Sequence, residues 1–122
     1  MSAEFQPVYA DLRAMMLRAA PEMQPLKDAP GELQVQASWP NPRKPKEPMW
    51  FGMVKLGKAY VSYHLLPLYM IPAMQAKVGP ALAKRKQGLA CFNFKTAEPA
   101  LFDELERLTA ECAAAFAKPM TF

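Results

Sequence analysis

Histidine occurs once and cysteine twice in this chain of 122 residues. With one imidazole and no closely spaced cysteine pair, the ligand spacing of a zinc finger is absent. Two thiols, Cys91 and Cys112, are too few for a disulfide-dense secreted scaffold. No uninterrupted apolar run reaches the roughly 18 residues that a membrane-spanning helix needs. Glycine is scarce at five residues, none of them set in a phosphate-cradling loop, a dinucleotide fingerprint or a serine-hydrolase elbow. The stretch MSAEFQPVYADLRAMM has an early acid and no basic-then-apolar leader pattern. These absences lead to the expectation of one globular domain over residues 1–122, in the cytoplasm of a bacterium, with no membrane partner, metal or cofactor.

Acid is scarce in one place above all. The net charge is +4, yet residues 43–95 carry ten cations against Glu47 alone, while the flanking thirds are net acidic. Such a segment can attract phosphate groups. Lysines also cap loops and guard sheet edges, and here they spread over several predicted elements, so nucleic acid is not the expected partner. The stretch KRKQGLACFNFK resembles an RNA-contacting strand at first glance. The positions that would stack bases are Leu89 and Cys91, however, and Phe92 and Phe94 have the opposite parity.

What is present is periodicity. Phe5, Val8, Leu12, Met15, Met16 and Ala19 follow helical spacing, closed by Pro21. After a turn at Pro30-Gly31, Leu33, Val35, Ala37 and Trp39 alternate with polar residues, which predicts a half-buried strand. PNPRKPKEP, with prolines at 40, 42, 45 and 48, is expected to be an extended loop because proline lacks the backbone donor. Its P-x-x-P spacing would also suit a proline-recognition domain, a weaker expectation than a strand connection. MWFGMVKL and KAYVSYHLL read as two strands joined at Gly57-Lys58. Residues 66–88 should hold one or two short helices, with Pro72 and Pro80 in first turns and Gly88 as the stop. The strand LACFNFK follows. A final helix from Glu98-Pro99 then buries Leu101, Leu105, Leu108, Cys112 and Phe116. The order α-β-β-β-α-β-α predicts an α+β fold, an antiparallel sheet of four to five strands with both end helices on one face.

The run FGMVKLGKAYVSYHLLPLYM, then KRKQGLACFNFK, then a helix beginning EPALFDEL, resembles the YdhG-like domain family of bacteria over roughly residues 30–117. The family is similar in architecture to frataxin, and the resemblance implies an uncharacterised domain or an iron chaperone for iron–sulfur cluster assembly. Iron handling would need several carboxylates on one exposed surface. The first helix offers Glu4 and Asp11. The last offers Asp103, Glu104, Glu106 and Glu111, interrupted by Arg107.

Strand parity collects one set of candidate residues. With Val61, Tyr63, Phe92 and Phe94 facing the core, the second face of the sheet should carry Phe51, Met53, Lys55, Tyr60, His64, Cys91, Asn93 and Lys95. Ligand pockets join apolar walls to a few polar groups, so these residues form a candidate groove bounded by the 66–88 segment. The competing arrangement packs the 66–88 helices onto that face and leaves His64 bonded to backbone; the length and apolarity of the segment favour it. A His64–Cys91 nucleophile pair has no acid nearby in sequence to orient it, and no catalytic residue is assigned. The apolar surplus of LLPLYMIPAM suggests a homodimer surface. The function expected is therefore non-enzymatic binding of an unidentified small molecule or protein. Iron handling and weak phosphate or nucleic-acid binding through the basic segment are the alternatives.

Overall fold

The computed structural model describes residues 5–119, so Glu4 lies outside the described residues. Five helices and six strands follow in the order α1 (Gln6–Ala19), β1 (Gln24–Ala29), β2 (Glu32–Asn41), β3 (Lys44–Leu56), β4 (Val61–Leu65), α2 (Leu66–Met70), α3 (Pro72–Gln75), α4 (Pro80–Ala83), β5 (Lys86–Gln87), β6 (Cys91–Phe94) and α5 (Pro99–Ala115). All strand pairs are antiparallel, in the spatial order β1-β2-β3-β4-β6-β5. The class is α+β as expected, with one helical layer on the sheet. Among the described residues no helix is long and apolar enough to cross a membrane.

The inner face of the sheet builds the core in cross-strand rows. Leu33, Val54, Tyr63 and Phe92 form one row, and Leu56, Val61 and Phe94 another. Against them α1 brings Val8, Leu12, Met15 and Met16, and α5 brings Leu105, Leu108 and Cys112, all buried. Leu101 of the expected stripe is only half-buried. The Tyr63 hydroxyl, sealed in this layer, shares a hydrogen with Thr109 at 2.7 Å, and Thr109 in turn donates to the Leu105 carbonyl. Burial raises the Tyr63 pKa well above its ordinary value, so the phenol stays neutral. Trp39 donates from its indole to the Phe116 carbonyl at 2.7 Å and meets the Phe116 ring edge-on, fixing the end of α5 to the sheet.

Several local expectations are corrected. Strand β1 is absent from the sequence reading because its side chains are almost all exposed, leaving no alternation to detect; it exists by pairing with β2. The proline-rich stretch is not a free loop. Both β2 and β3 continue through it, Pro40 opposite Pro48 and Asn41 opposite Lys44, into an exposed two-stranded arm. Proline is tolerated where a strand edge faces solvent, and the Arg43 backbone N–H is held by the Asn41 side chain at the tip. The β3–β4 connection is a four-residue loop, 57–60, so Tyr60 lies in the loop and not in a strand. Gly88 does not stop a helix. With φ +72° it turns the β5–β6 hairpin, since α4 has already ended at Ala83.

The correction that matters most for function lies in β3. Register shifts between Val35 and Gln36, where Gly52 and Trp50 are the partners, so Phe51 is bulged out of the pairing. Phe51 and Gly52 both face inward, and Phe51 is fully buried with its ring 6.0 Å from that of Phe116. Trp50, Met53 and Lys55 therefore share the outer face. Phe51 leaves the candidate groove and Trp50 takes a place on that face. A Cβ on Gly52 would lie 2.6 Å from the His64 carbonyl oxygen and 2.9 Å from the Met16 methyl. Gly52→Ala is therefore expected to cost about 1–3 kcal/mol through overpacking against backbone, read as a lower midpoint in urea unfolding with an unchanged slope.

The 66–88 segment extends the helical layer and does not cover the outer sheet face. Leu68, Met74 and Leu82 enter the core, and α2 and α4 contact α5. Glu104 of α5 accepts the Gly79 N–H at 2.6 Å, and Lys77 pairs with Glu111. Much of the apolar surplus in LLPLYMIPAM is thus absorbed inside the chain. Leu65, Leu68 and Met74 are buried, Leu66, Met70 and Ile71 pack against the core, and Tyr69 is left 63% exposed. The premise of the dimer surface shrinks accordingly.

Candidate functional site: a basic cleft beside an open sheet face

Where α4 gives way to the β5–β6 hairpin, the chain wraps around a cleft of about 460 Å³. One wall is the run Lys84, Arg85, Lys86 and Gln87. Asn93, Lys95, Thr96 and Glu98 line the cleft as well, with Tyr60 from the β3–β4 loop. Backbone pairing holds the walls together, with the Asn93 N–H donating to the Arg85 carbonyl at 2.9 Å. Side chains add to this, since the Asn93 amide donates to the Gln87 carbonyl at 2.7 Å.

Four cations and one carboxylate line this cleft. Glu98 is engaged by Arg85 in a two-point pair, both nitrogen–oxygen distances being 2.7 Å. That geometry is the strong form of the guanidinium–carboxylate contact. It holds the Glu98 carboxyl below its usual range, the hydrogen bond from Arg85 being the main cause. Lys86 reaches out of the wall to the Gln75 side chain. Lys84 and Lys95 are exposed. The cleft thus presents a surplus of positive charge with neutral polar side chains, next to one exposed aromatic ring.

Beside it lies the outer face of the sheet, which the helices leave open. Two rows cross it. Glu32, Lys55, Ser62 and Asn93 form one; Gln34, Met53, His64, Cys91 and Gln87 form the other. The His64 Nε2 lies 3.7 Å from the Cys91 Sγ, and the Cys91 thiol donates to the Asn93 side-chain Oδ1 at 3.4 Å. Burial pushes the Cys91 thiol above its ordinary value. Burial, with Lys55 nearby, holds His64 below its own. At neutral pH both groups are therefore uncharged, a poor state for nucleophilic attack.

Of the expected groove residues, Tyr60, Asn93 and Lys95 line the cleft. Met53, Lys55, His64 and Cys91 lie together on the open face next to it, and Phe51 is in the core. Sequence reasoning missed Lys84, Arg85, Lys86, Gln87, Thr96 and Glu98. The signal was available in the cation run of KRKQG. Lys84 is exposed, but Arg85 and Lys86 are half-buried because each is tied to a partner across the wall. Three of the four acids of α5 are also engaged: Glu106 binds Arg18 through two hydrogen bonds, Glu111 pairs with Lys77, and Glu104 accepts from Gly79. Among the described residues no three or more His, Cys, Asp or Glu side chains gather closely enough to hold a metal ion. The chain matches no protein-family model, no curated protein and no solved structure.

Proposed function

We propose that this chain is a non-enzymatic binding domain of the YdhG-like kind, holding a phosphate-bearing small molecule in the cleft between residues 84 and 98. The observation that carries the proposal is that Lys84, Arg85 and Lys95 line one cavity whose single acid, Glu98, is already paired with Arg85. Of the ten cations in residues 43–95, Lys84, Arg85, Lys86 and Lys95 line this concavity, while Arg43, Lys44, Lys46, Lys55, Lys58 and Lys77 do not. That distribution suits a compact anion better than a long nucleic-acid backbone, which would need cations along a track. Asn93, Gln87 and Thr96 supply neutral polar groups for orientation, and Tyr60 offers an aromatic face to an attached ring. Catalysis draws no support from the neutral His64–Cys91 pair. Iron handling draws none from Glu104, Glu106 and Glu111, which are already bonded to cations or backbone.

The test is calorimetric titration with AMP and with inorganic pyrophosphate at two salt concentrations. Binding at one site per chain that weakens with added sodium chloride is expected. No saturable heat at millimolar ligand, or binding indifferent to salt, would contradict the proposal. Glu98 gives a prediction of opposite sign to ordinary site mutations. Glu98→Gln removes the competing carboxylate and releases Arg85, so affinity should rise by about fivefold, a change of about 1 kcal/mol. The lost pair is partly solvent-exposed, and its removal should lower stability by no more than about 1 kcal/mol.

A further inference from the structure

We propose that Met53, His64 and Cys91 form a surface site for a soft monovalent metal ion, Cu(I), separate from the anion cleft. The three side chains come from three adjacent strands and stand next to one another in one cross-strand row, Met53 opposite His64 and His64 opposite Cys91. All three are half-buried on the face that the helices leave open. Their donor atoms are a thioether, an imidazole nitrogen and a thiol, a set that selects Cu(I) over hard ions, which need oxygen ligands.

The distance supports shared ligation. A metal–sulfur bond of about 2.3 Å and a metal–nitrogen bond of about 2.0 Å, at a trigonal or tetrahedral angle, place the two donors roughly 3.6 Å apart. The Cys91 Sγ and His64 Nε2 stand 3.7 Å apart, so an ion can bridge them with little movement. Directly opposed residues on antiparallel strands have Cβ atoms about 5 Å apart. The unbranched Met53 side chain has the freedom to complete a three-coordinate site. Structural zinc calls for four ligands, and the row supplies three.

Binding exchanges one proton for one ion. The thiol proton of Cys91 leaves to solvent as the sulfur–copper bond forms, His64 donates its neutral nitrogen lone pair, and no electron is transferred. The charged groups facing the row are Lys55 on β3 and, farther across the sheet, Glu32 on β2. Burial raises the thiol and lowers the imidazole relative to their ordinary values. His64 is thus ready to coordinate at neutral pH, while Cys91 still holds its proton.

The experiment is anaerobic titration of the whole chain with Cu(I) under ascorbate, in competition with bicinchoninate. One ion per chain is expected, with Cys91→Ser weakening the site at least a hundredfold and Met53→Leu or His64→Gln about tenfold each. Far-ultraviolet circular dichroism of each variant verifies that the fold is kept. Binding that survives Cys91→Ser would place the ion elsewhere and overturn the proposal. Binding that depends on Cys91 but ignores both Met53→Leu and His64→Gln would overturn it equally, because a lone thiol would then account for it.

Discussion

Phe92→Ala is expected to destabilise the chain by about 3–5 kcal/mol, the cost of removing a fully packed aromatic ring and leaving a cavity. Phe92 is fully buried on β6, next to the edge strand β5, in one row with Leu33, Val54 and Tyr63 on the inner face of the sheet. A domain of this size has a total stability of about 5–15 kcal/mol, so the loss is a large fraction of what keeps it folded. Thermal unfolding should fall by about 10–20 °C. Phe94→Ala should behave similarly, because the Phe94 ring is also fully buried and packs edge-on to Phe102 at 4.9 Å. The check is equilibrium urea unfolding of the two variants beside the parent. A loss below about 1 kcal/mol for both would mean that these rings do not fill the core. It would also return them to consideration as base-stacking residues.

These two phenylalanines were legible from the sequence because a strand has a strict period of two and their neighbours are polar. The same holds for Leu33, Val35, Ala37 and Trp39 in β2, and helical spacing located α1 and α5 through residues such as Leu12 and Leu105. What escaped had physical reasons. Strand β1 has nearly all its side chains in solvent, so hydrophobicity carries no trace of it. The proline arm is held by cross-strand pairing that no local propensity records. At Phe51 and Gly52 one extra residue reverses parity, and every inference about the outer face upstream of the bulge changes sides. Gly52 inside a strand was the available hint, because glycine there often marks a bulge or a close backbone approach.

The candidate site was legible only in part for a related reason. Parity placed Met53, His64, Cys91 and Asn93 on one face, and the structure has them there in register. Parity has nothing to offer about Lys84 and Arg85, which reach the cleft from a turn after α4. Their role depends on the short β5–β6 hairpin folding back on itself, and a two-residue strand has no periodicity to read. Charge composition detected the segment, and tertiary structure was needed to concentrate it.

Joint replacement of Lys84 and Lys95 by glutamate should abolish anion binding, with at least a hundredfold loss of affinity. Each reversal replaces an attraction with a repulsion at the cleft rim. At about 1.4 kcal/mol per site, modest for charges a few ångströms apart near a protein surface, two reversals give two factors of ten. Both side chains are exposed, so stability should change by no more than about 0.5 kcal/mol per site. Loss of binding would then reflect the site and not the fold. The most direct measurement is amide chemical-shift mapping of the parent chain and this double variant during titration with AMP. In the parent, shifts should concentrate at Gln87, Asn93 and Thr96 and saturate together, and they should vanish in the variant. Shifts centred on the 43–48 arm, or a response that the double variant retains, would contradict an anion site in the cleft.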